Sequence, residues 1–172
     1  MTEAAFELSR RVGAELMQRG WTIAIAESCT GGLVGYLLTS VAGSSAYFTG
    51  GIVAYSNAVK QHLLHVPHTT LETVGAVSAE TAQAMAQGVR VQLHTDVGIA
   101  TTGIAGPGGG TPTKPVGLVY LAVTTPTETL VRRVICDGDR RANQQRSAEI
   151  ALQLVLDVLN EPTPTAKRTD ID

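Results

Sequence analysis

A chain of 172 residues fits one ordinary domain, and a globule of that size buries roughly 70% of its unfolded surface, so it needs neither disulfides nor a metal to fold. With 44% apolar and 16% charged residues and a net charge of −2, it carries no basic field to hold a nucleic-acid backbone. No apolar stretch approaches the roughly 20 residues that span a bilayer, and two cysteines, Cys29 and Cys136, suit a reducing cytoplasm better than a disulfide scaffold.

Residues 1–11 are polar and amphipathic, unlike a signal peptide. Residues 2–19 place Ala5, Leu8, Val12 and Leu16 at helical spacing, with Thr2 as cap and Gly20 as stop. Thr22-Ile23-Ala24-Ile25-Ala26 is a short apolar run, predicted to be a buried strand. Residues 30–40 read as helix, residues 51–55 as a second strand, and Ser56 as the cap of a short helix that Pro67 breaks. Thr69 with Glu72 forms a capping-box pattern for one further turn, closed by Gly75. Ser78 caps the clearest helix, whose face carries Ala82, Met85, Ala86, Val89 and Leu93.

Residues 97–102, 116–125 and 129–136 are the third, fourth and fifth predicted strands. Only Pro126-Thr127-Glu128 joins the last two, which makes them an antiparallel hairpin, because parallel neighbours need a crossover of about a dozen residues. A final helix covers residues 139–159, and the Pro- and Thr-rich residues 161–172 read as a flexible tail, leaving residues 1–160 as a single domain. The fold expected is an α/β protein, a three-layer α/β/α sandwich on a mixed sheet of about five strands with one antiparallel hairpin. Ligands in such sheets sit at the carboxyl ends of strands, here the segments after Ala26, Tyr55 and Thr102.

The unusual residues lie in those three segments. Ala26-Glu27-Ser28-Cys29-Thr30-Gly31-Gly32 puts two glycines in the opening turn of a helix, either for tight packing or to let a ligand approach bare N–H groups. Such a turn holds a phosphate or stabilises an oxyanion beside Ser28. Glu27 is a solvated or capping carboxylate, or a functional one. Cys29 is a rival nucleophile, although no histidine lies near it in sequence, and a packing role suits it better. Ser56 and Lys60, four apart, share a helix face; Lys60 is either a solvated lysine or a partly buried one whose neutral amine serves as a base. The third segment, Thr101 to Gly110 followed by Lys114-Pro115-Val116-Gly117, matches neither the dinucleotide fingerprint nor the phosphate loop. It is a surface loop or a set of backbone nests for an anionic or planar ligand. His62, His65 and His68 invite a zinc reading, but Pro67 keeps the three off one face and a polar surface accounts for them better.

Taken together, Ala26-Glu27-Ser28-Cys29-Thr30-Gly31-Gly32, Tyr55-Ser56-Asn57 with Lys60, Gly75-Ala76-Val77-Ser78, and Thr102-Gly103-Ile104-Ala105-Gly106-Pro107 with Lys114-Pro115-Val116-Gly117 resemble the CinA C-terminal domain, or nicotinamide-nucleotide amidase, family over about residues 5–159. The resemblance implies a hydrolase of pyridine-nucleotide recycling that deamidates nicotinamide mononucleotide to nicotinate mononucleotide and ammonia, with no metal and no cofactor. It implies Ser28 as nucleophile, Lys60 as base and Tyr55 lining or assisting the site. Thr30, Gly31 and Gly32 would supply backbone donors; Asn57, Thr102, Gly103 and Gly106 would line the nucleotide pocket; Lys114 would meet the phosphate. Family members usually carry an arginine where this chain has Gln144, so Arg140, Arg141 or Arg146 would take over phosphate recognition. Longer members carry a molybdopterin-binding-like domain ahead of this one, for which 172 residues leave no room. The partners implied are a small nucleotide substrate and a second copy in a cytoplasmic dimer, with no nucleic acid and no membrane. Two other function classes stand beside the enzyme: a non-catalytic nucleotide-binding or regulatory module, and a protein-interaction module of the competence or damage response.

Overall fold

A computed structural model describes residues 2–160, so the tail expected at 161–172 lies outside the described residues. The chain opens with α1 (Glu3–Arg19), where the Thr2 hydroxyl accepts the Ala5 N–H and Gly20 closes the helix at a φ of 65°. There follow β1 (Ile23–Glu27), α2 (Leu33–Thr39), one turn of 3₁₀ helix (Ser44–Ala46) and β2 (Phe48–Val53). Next come α3 (Asn57–Leu64), α4 (His68–Thr73), α5 (Ala79–Gln92), β3 (Val97–Gly103), β4 (Leu118–Thr124), β5 (Thr129–Ile135) and α6 (Arg140–Asn160).

The five strands form one open mixed sheet in the order β2-β1-β3-β4-β5. β1 lies parallel to both β2 and β3, while β4 is antiparallel to β3 and to β5. β1 alternates Ile23 and Ile25 with Ala24 and Ala26 because its two faces meet different layers. The isoleucines join Val12, Leu16, Leu37, Leu38, Leu152 and Val155 in the core beneath α1, α2 and α6. The alanines join Met85, Ala86 and Val89 of α5 on the other face, where small side chains let the helix approach the sheet. The outcome is the α/β/α sandwich expected from the sequence. Among the described residues no helix is long and apolar enough to cross a membrane.

Three elements depart from their predicted bounds. α2 starts at Leu33, not at residue 30, because Gly31 and Gly32 take φ values of 65° and 103° and keep the preceding residues in a turn. β2 spans Phe48–Val53 rather than 51–55; its pairing ends where the Ala54 N–H reaches the Glu27 carbonyl, which leaves Tyr55 beyond the ladder. Thr69 is not a cap. α4 begins at His68 after Pro67, so Thr69 already lies inside the helix, and Glu72 faces His68 at 3.3 Å.

The carboxyl ends of β1, β2 and β3 share one edge of the sheet. From β1 the chain leaves through α2 on one face, and from β2 it leaves through α3, α4 and α5 on the other. The crevice beyond Glu27 is therefore a switch point of the kind where open α/β sheets receive ligands.

Candidate active site

Ser28 follows β1 directly, and its N–H reaches the Thr101 carbonyl of β3 at 3.0 Å, which pins the residue to the sheet. Lys60 comes from the first full turn of α3. The cap of that helix, the Ser56 hydroxyl, accepts the Val59 N–H at 3.3 Å and turns the lysine inward, away from any pairing with Ser56 itself. Lys60 is 1% exposed and Ser28 8% exposed. Their side chains meet: Lys60 Nζ stands 3.1 Å from Ser28 Oγ, 2.8 Å from the Ala54 carbonyl and 3.4 Å from the Tyr55 carbonyl. Loss of water around the amine pushes its pKa below the usual lysine range. None of the three neighbours is a carboxylate, so no ion pair opposes that shift.

Nζ donates to all three, the Ser28 hydroxyl oxygen and the Ala54 and Tyr55 carbonyls. Once the amine is neutral, two N–H groups can serve the carbonyls while its lone pair accepts the serine hydroxyl proton. Cys29, the rival, is 6% exposed, and burial pushes its thiol up to about 12. A thiol in that environment stays protonated and is a poor nucleophile at neutral pH.

A cavity of about 220 Å³ opens over the pair, lined by Ser28, Cys29, Tyr55, Asn57, Lys60, Ala76, Val77, Thr102, Gly103, Ala105 and Arg140. Of the residues singled out in the sequence, Ser28, Lys60, Tyr55, Asn57, Thr102, Gly103 and Arg140 thus converge. Arg140 spans the mouth: it donates to the Gly106 carbonyl at 2.8 Å and to the Tyr55 hydroxyl at 2.9 Å. The Thr102 hydroxyl is committed to the Ala76 carbonyl at 2.7 Å.

The other expected residues go elsewhere. Thr30, Gly31 and Gly32 line a separate cavity with Tyr36, Arg141, Gln144 and Gln145. Both glycine donors are taken: the Gly31 N–H returns to the Ser28 carbonyl at 3.2 Å and the Gly32 N–H serves Glu27, as does the Thr30 hydroxyl. Gly106 borders a neighbouring cavity with Pro107 and Val116, reached across Arg140. Lys114 gives its amine to the Val74 carbonyl at 2.6 Å and is not among the residues lining the serine cavity. His62 lies on α3, His65 ends it and His68 begins α4; among the described residues no three His, Cys, Asp or Glu side chains gather as a metal set.

Sequence reasoning missed one contact: Gln144 of α6 donates to the Cys29 carbonyl at 2.9 Å, and no local pattern announces a bond across 115 positions. Of the alternatives open for Glu27, the structure shows the capping carboxylate, bound to Gly32 and Gly35.

Comparison with known proteins agrees with this picture. The family model described as "CinA C-terminal domain" matches residues 5–159. The chain is 47% identical over 148 residues to the "CinA-like protein" of Desulfotalea psychrophila, covering 86% of this chain and 36% of that one. It is 54% identical over 133 residues to the "CinA-like protein" of Synechocystis, covering 77% and 32% respectively. The chain therefore spans about a third of the length of the curated relatives it matches. Among solved structures, the competence/damage inducible protein CihA from Agrobacterium tumefaciens superposes with a TM-score of 0.90 at 40% identity, over 94% of this chain and 98% of that one. A CinA superfamily protein from Klebsiella pneumoniae gives 0.87 at 33% identity, over 90% and 97%. A serine and an unpaired buried lysine at the switch point of this sheet, within a match that spans nearly every described residue, belong to a member of the CinA C-terminal domain family.

Proposed function

We propose that this domain is a metal-independent amidohydrolase that removes ammonia from the carboxamide of nicotinamide mononucleotide, with Ser28 as nucleophile and Lys60 as base. The observation that carries this reading is the 3.1 Å contact between Ser28 Oγ and an amine buried without a charged partner. In the first step Lys60 accepts the hydroxyl proton as Oγ bonds to the carboxamide carbon. The backbone N–H of Cys29, a residue that lines the cavity next to Ser28, is the donor assigned to the oxyanion. Lys60 then returns the proton to the leaving nitrogen; the C–N bond breaks, ammonia departs and an acyl ester remains on Ser28. Water, deprotonated by the same amine, hydrolyses the ester to nicotinate mononucleotide and restores the serine.

A cavity of about 220 Å³ is smaller than the roughly 300–1,000 Å³ of pockets that enclose a drug-sized ligand. It fits the reacting pyridine end, with the ribose phosphate outside, beside Tyr55 and Arg140. The test is to incubate the protein with nicotinamide mononucleotide and assay ammonia. Turnover that disappears in Ser28→Ala supports the reading. Tight binding of the mononucleotide without ammonia release selects the non-catalytic binding module instead.

A further inference from the structure

We infer that Glu27 is a positioning residue: its carboxylate holds the turn after β1 in the shape that turns the Ser28 hydroxyl toward Lys60. The inference rests on the reading of Ser28 and Lys60 as a reacting pair. Glu27 ends β1 immediately before Ser28 and is 1% exposed. An ionised carboxylate persists there only if donors replace its water. Three do so. Oε2 accepts the Thr30 hydroxyl at 2.6 Å and the Gly32 N–H at 2.9 Å, and Oε1 accepts the Gly35 N–H at 2.8 Å.

Each donor belongs to the segment just after Ser28. The residue at the cap of α2 is Gly32, which has no side chain to close the helix, so the capping carboxylate comes from Glu27, five residues upstream. Gly35 makes room for Ile25, whose Cδ1 would stand 2.7 Å from an added Cβ, while Glu27 Oε1 at 3.6 Å would be in ordinary contact. The Thr30 oxygen lies 2.7 Å from the Thr101 hydroxyl; with Thr30's own proton given to the carboxylate, Thr101 is the donor. Thr101 also holds the Ser28 N–H through its carbonyl. Ser28 is thereby bracketed: β3 fixes its N–H, Gly31 fixes its carbonyl, and Glu27 ties the next turn back to the strand. Lys60 takes no part in this cradle; its partners are Ser28, Ala54 and Tyr55. The carboxylate acts on the nucleophile only through the backbone.

Two substitutions open the cradle in the full chain. Thr30→Val removes one donor at nearly constant shape, and Thr30→Ser restores it. Glu27→Gln keeps the shape but turns an amide NH₂ toward an N–H or O–H donor. The readout is the second-order rate at which an aryl fluorophosphonate labels Ser28, together with the thermal midpoint. Thr30→Val and Glu27→Gln are expected to label about 10²-fold more slowly, the loss that follows a displacement of about 1 Å, with Thr30→Ser within a few-fold of wild type. A lowered thermal midpoint with unchanged labelling, or a Thr30→Ser variant as slow as Thr30→Val, overturns the inference. Wild-type protein that resists the phosphonate refutes the nucleophile reading instead, and the ¹³Cε titration of Lys60 then decides the role of Glu27. Its midpoint is expected to rise in Thr30→Val, as water enters beside Ser28, and to return in Thr30→Ser; an unchanged midpoint overturns the inference.

Discussion

Replacing Lys60 by Met separates the chemical and structural roles of the buried amine, because Met fills similar space without a titratable group. Three contacts disappear, at 2.8 Å, 3.1 Å and 3.4 Å. The two carbonyls are left without this donor, a loss of about 1–3 kcal/mol each. Release from burying a charged nitrogen opposes it. The sign of the pH dependence follows from the lowered pKa. Below the folded-state pKa both states carry the proton, and the native state bears the whole penalty of a buried ammonium. As pH rises through the folded pKa the native state releases its proton, while the unfolded chain keeps its own up to about 10.5. Stability attributable to Lys60 therefore climbs across that window and levels off above it. Urea unfolding of both proteins over a pH series reads this directly: the difference, wild type minus Lys60→Met, should rise with pH. In the same series kcat/KM of the wild type should increase through the Lys60 pKa, and the variant should lose about 10²–10⁴-fold, or about 3–5 kcal/mol on the barrier. Parallel stability curves, or a variant that keeps its turnover, would refute the argument that this nitrogen is buried neutral and used as a base.

Other substitutions test the remaining parts. Ser28→Ala should lower kcat by at least about 10³-fold, whereas Cys29→Ala should stay within a few-fold of wild type, since the thiol is protonated at neutral pH; ammonia release separates the two. Arg140→Ala breaks the bridge from Gly106 to Tyr55 at the mouth and should raise KM about 10–100-fold with kcat largely kept, the range of one or two charged hydrogen bonds, in steady-state kinetics. Gly117→Ala should destabilise the protein by about 3 kcal/mol or more, seen in calorimetry as a fall of about 6–12 °C, because the residue has a φ of +88° and its Cβ would lie 1.8 Å from the Cys136 carbonyl oxygen.

The layers of the fold were legible because they rest on local rules. Ile23 and Ile25 alternate with alanines, a three-residue link closes the hairpin of β4 and β5, and Thr2, Ser56 and Ser78 each cap the helix predicted for them. The start of α2 was not, because positive φ at Gly31 and Gly32 costs a glycine nothing and leaves no trace in hydrophobic periodicity. Thr69 misled for a related reason: a capping box needs an extended cap residue, and Pro67 had already set the helix start one residue earlier. At the site, the residue types were readable but their partners were not. Lys60 in its own segment reads as a solvated surface lysine, and only the packing of α3 against the end of β1 brings it to Ser28. The paired glycines looked like a cradle for a ligand's anion, but the Gly32 N–H serves the chain's own Glu27 and the Gly31 N–H the Ser28 carbonyl.

Two ionisable groups are therefore buried near one serine, Glu27 beside it in the chain and Lys60 against its hydroxyl, and the fold gives them separate partners. An ion pair between Glu27 and Lys60 would lower the cost of burying both, since opposite charges offset each other's desolvation. It would also hold the proton on the amine and leave Ser28 without a base. The structure gives Glu27 three donors from the turn and gives Lys60 two carbonyls and a hydroxyl. Each group thus has hydrogen-bond partners of its own, and none of those around Lys60 carries a negative charge. Stability alone would favour joining them. Their separation is what a serine–lysine reaction demands of this site, and a variant that brought a carboxylate within 4 Å of Lys60 should raise the amine's pKa and shift the pH–rate profile toward alkali.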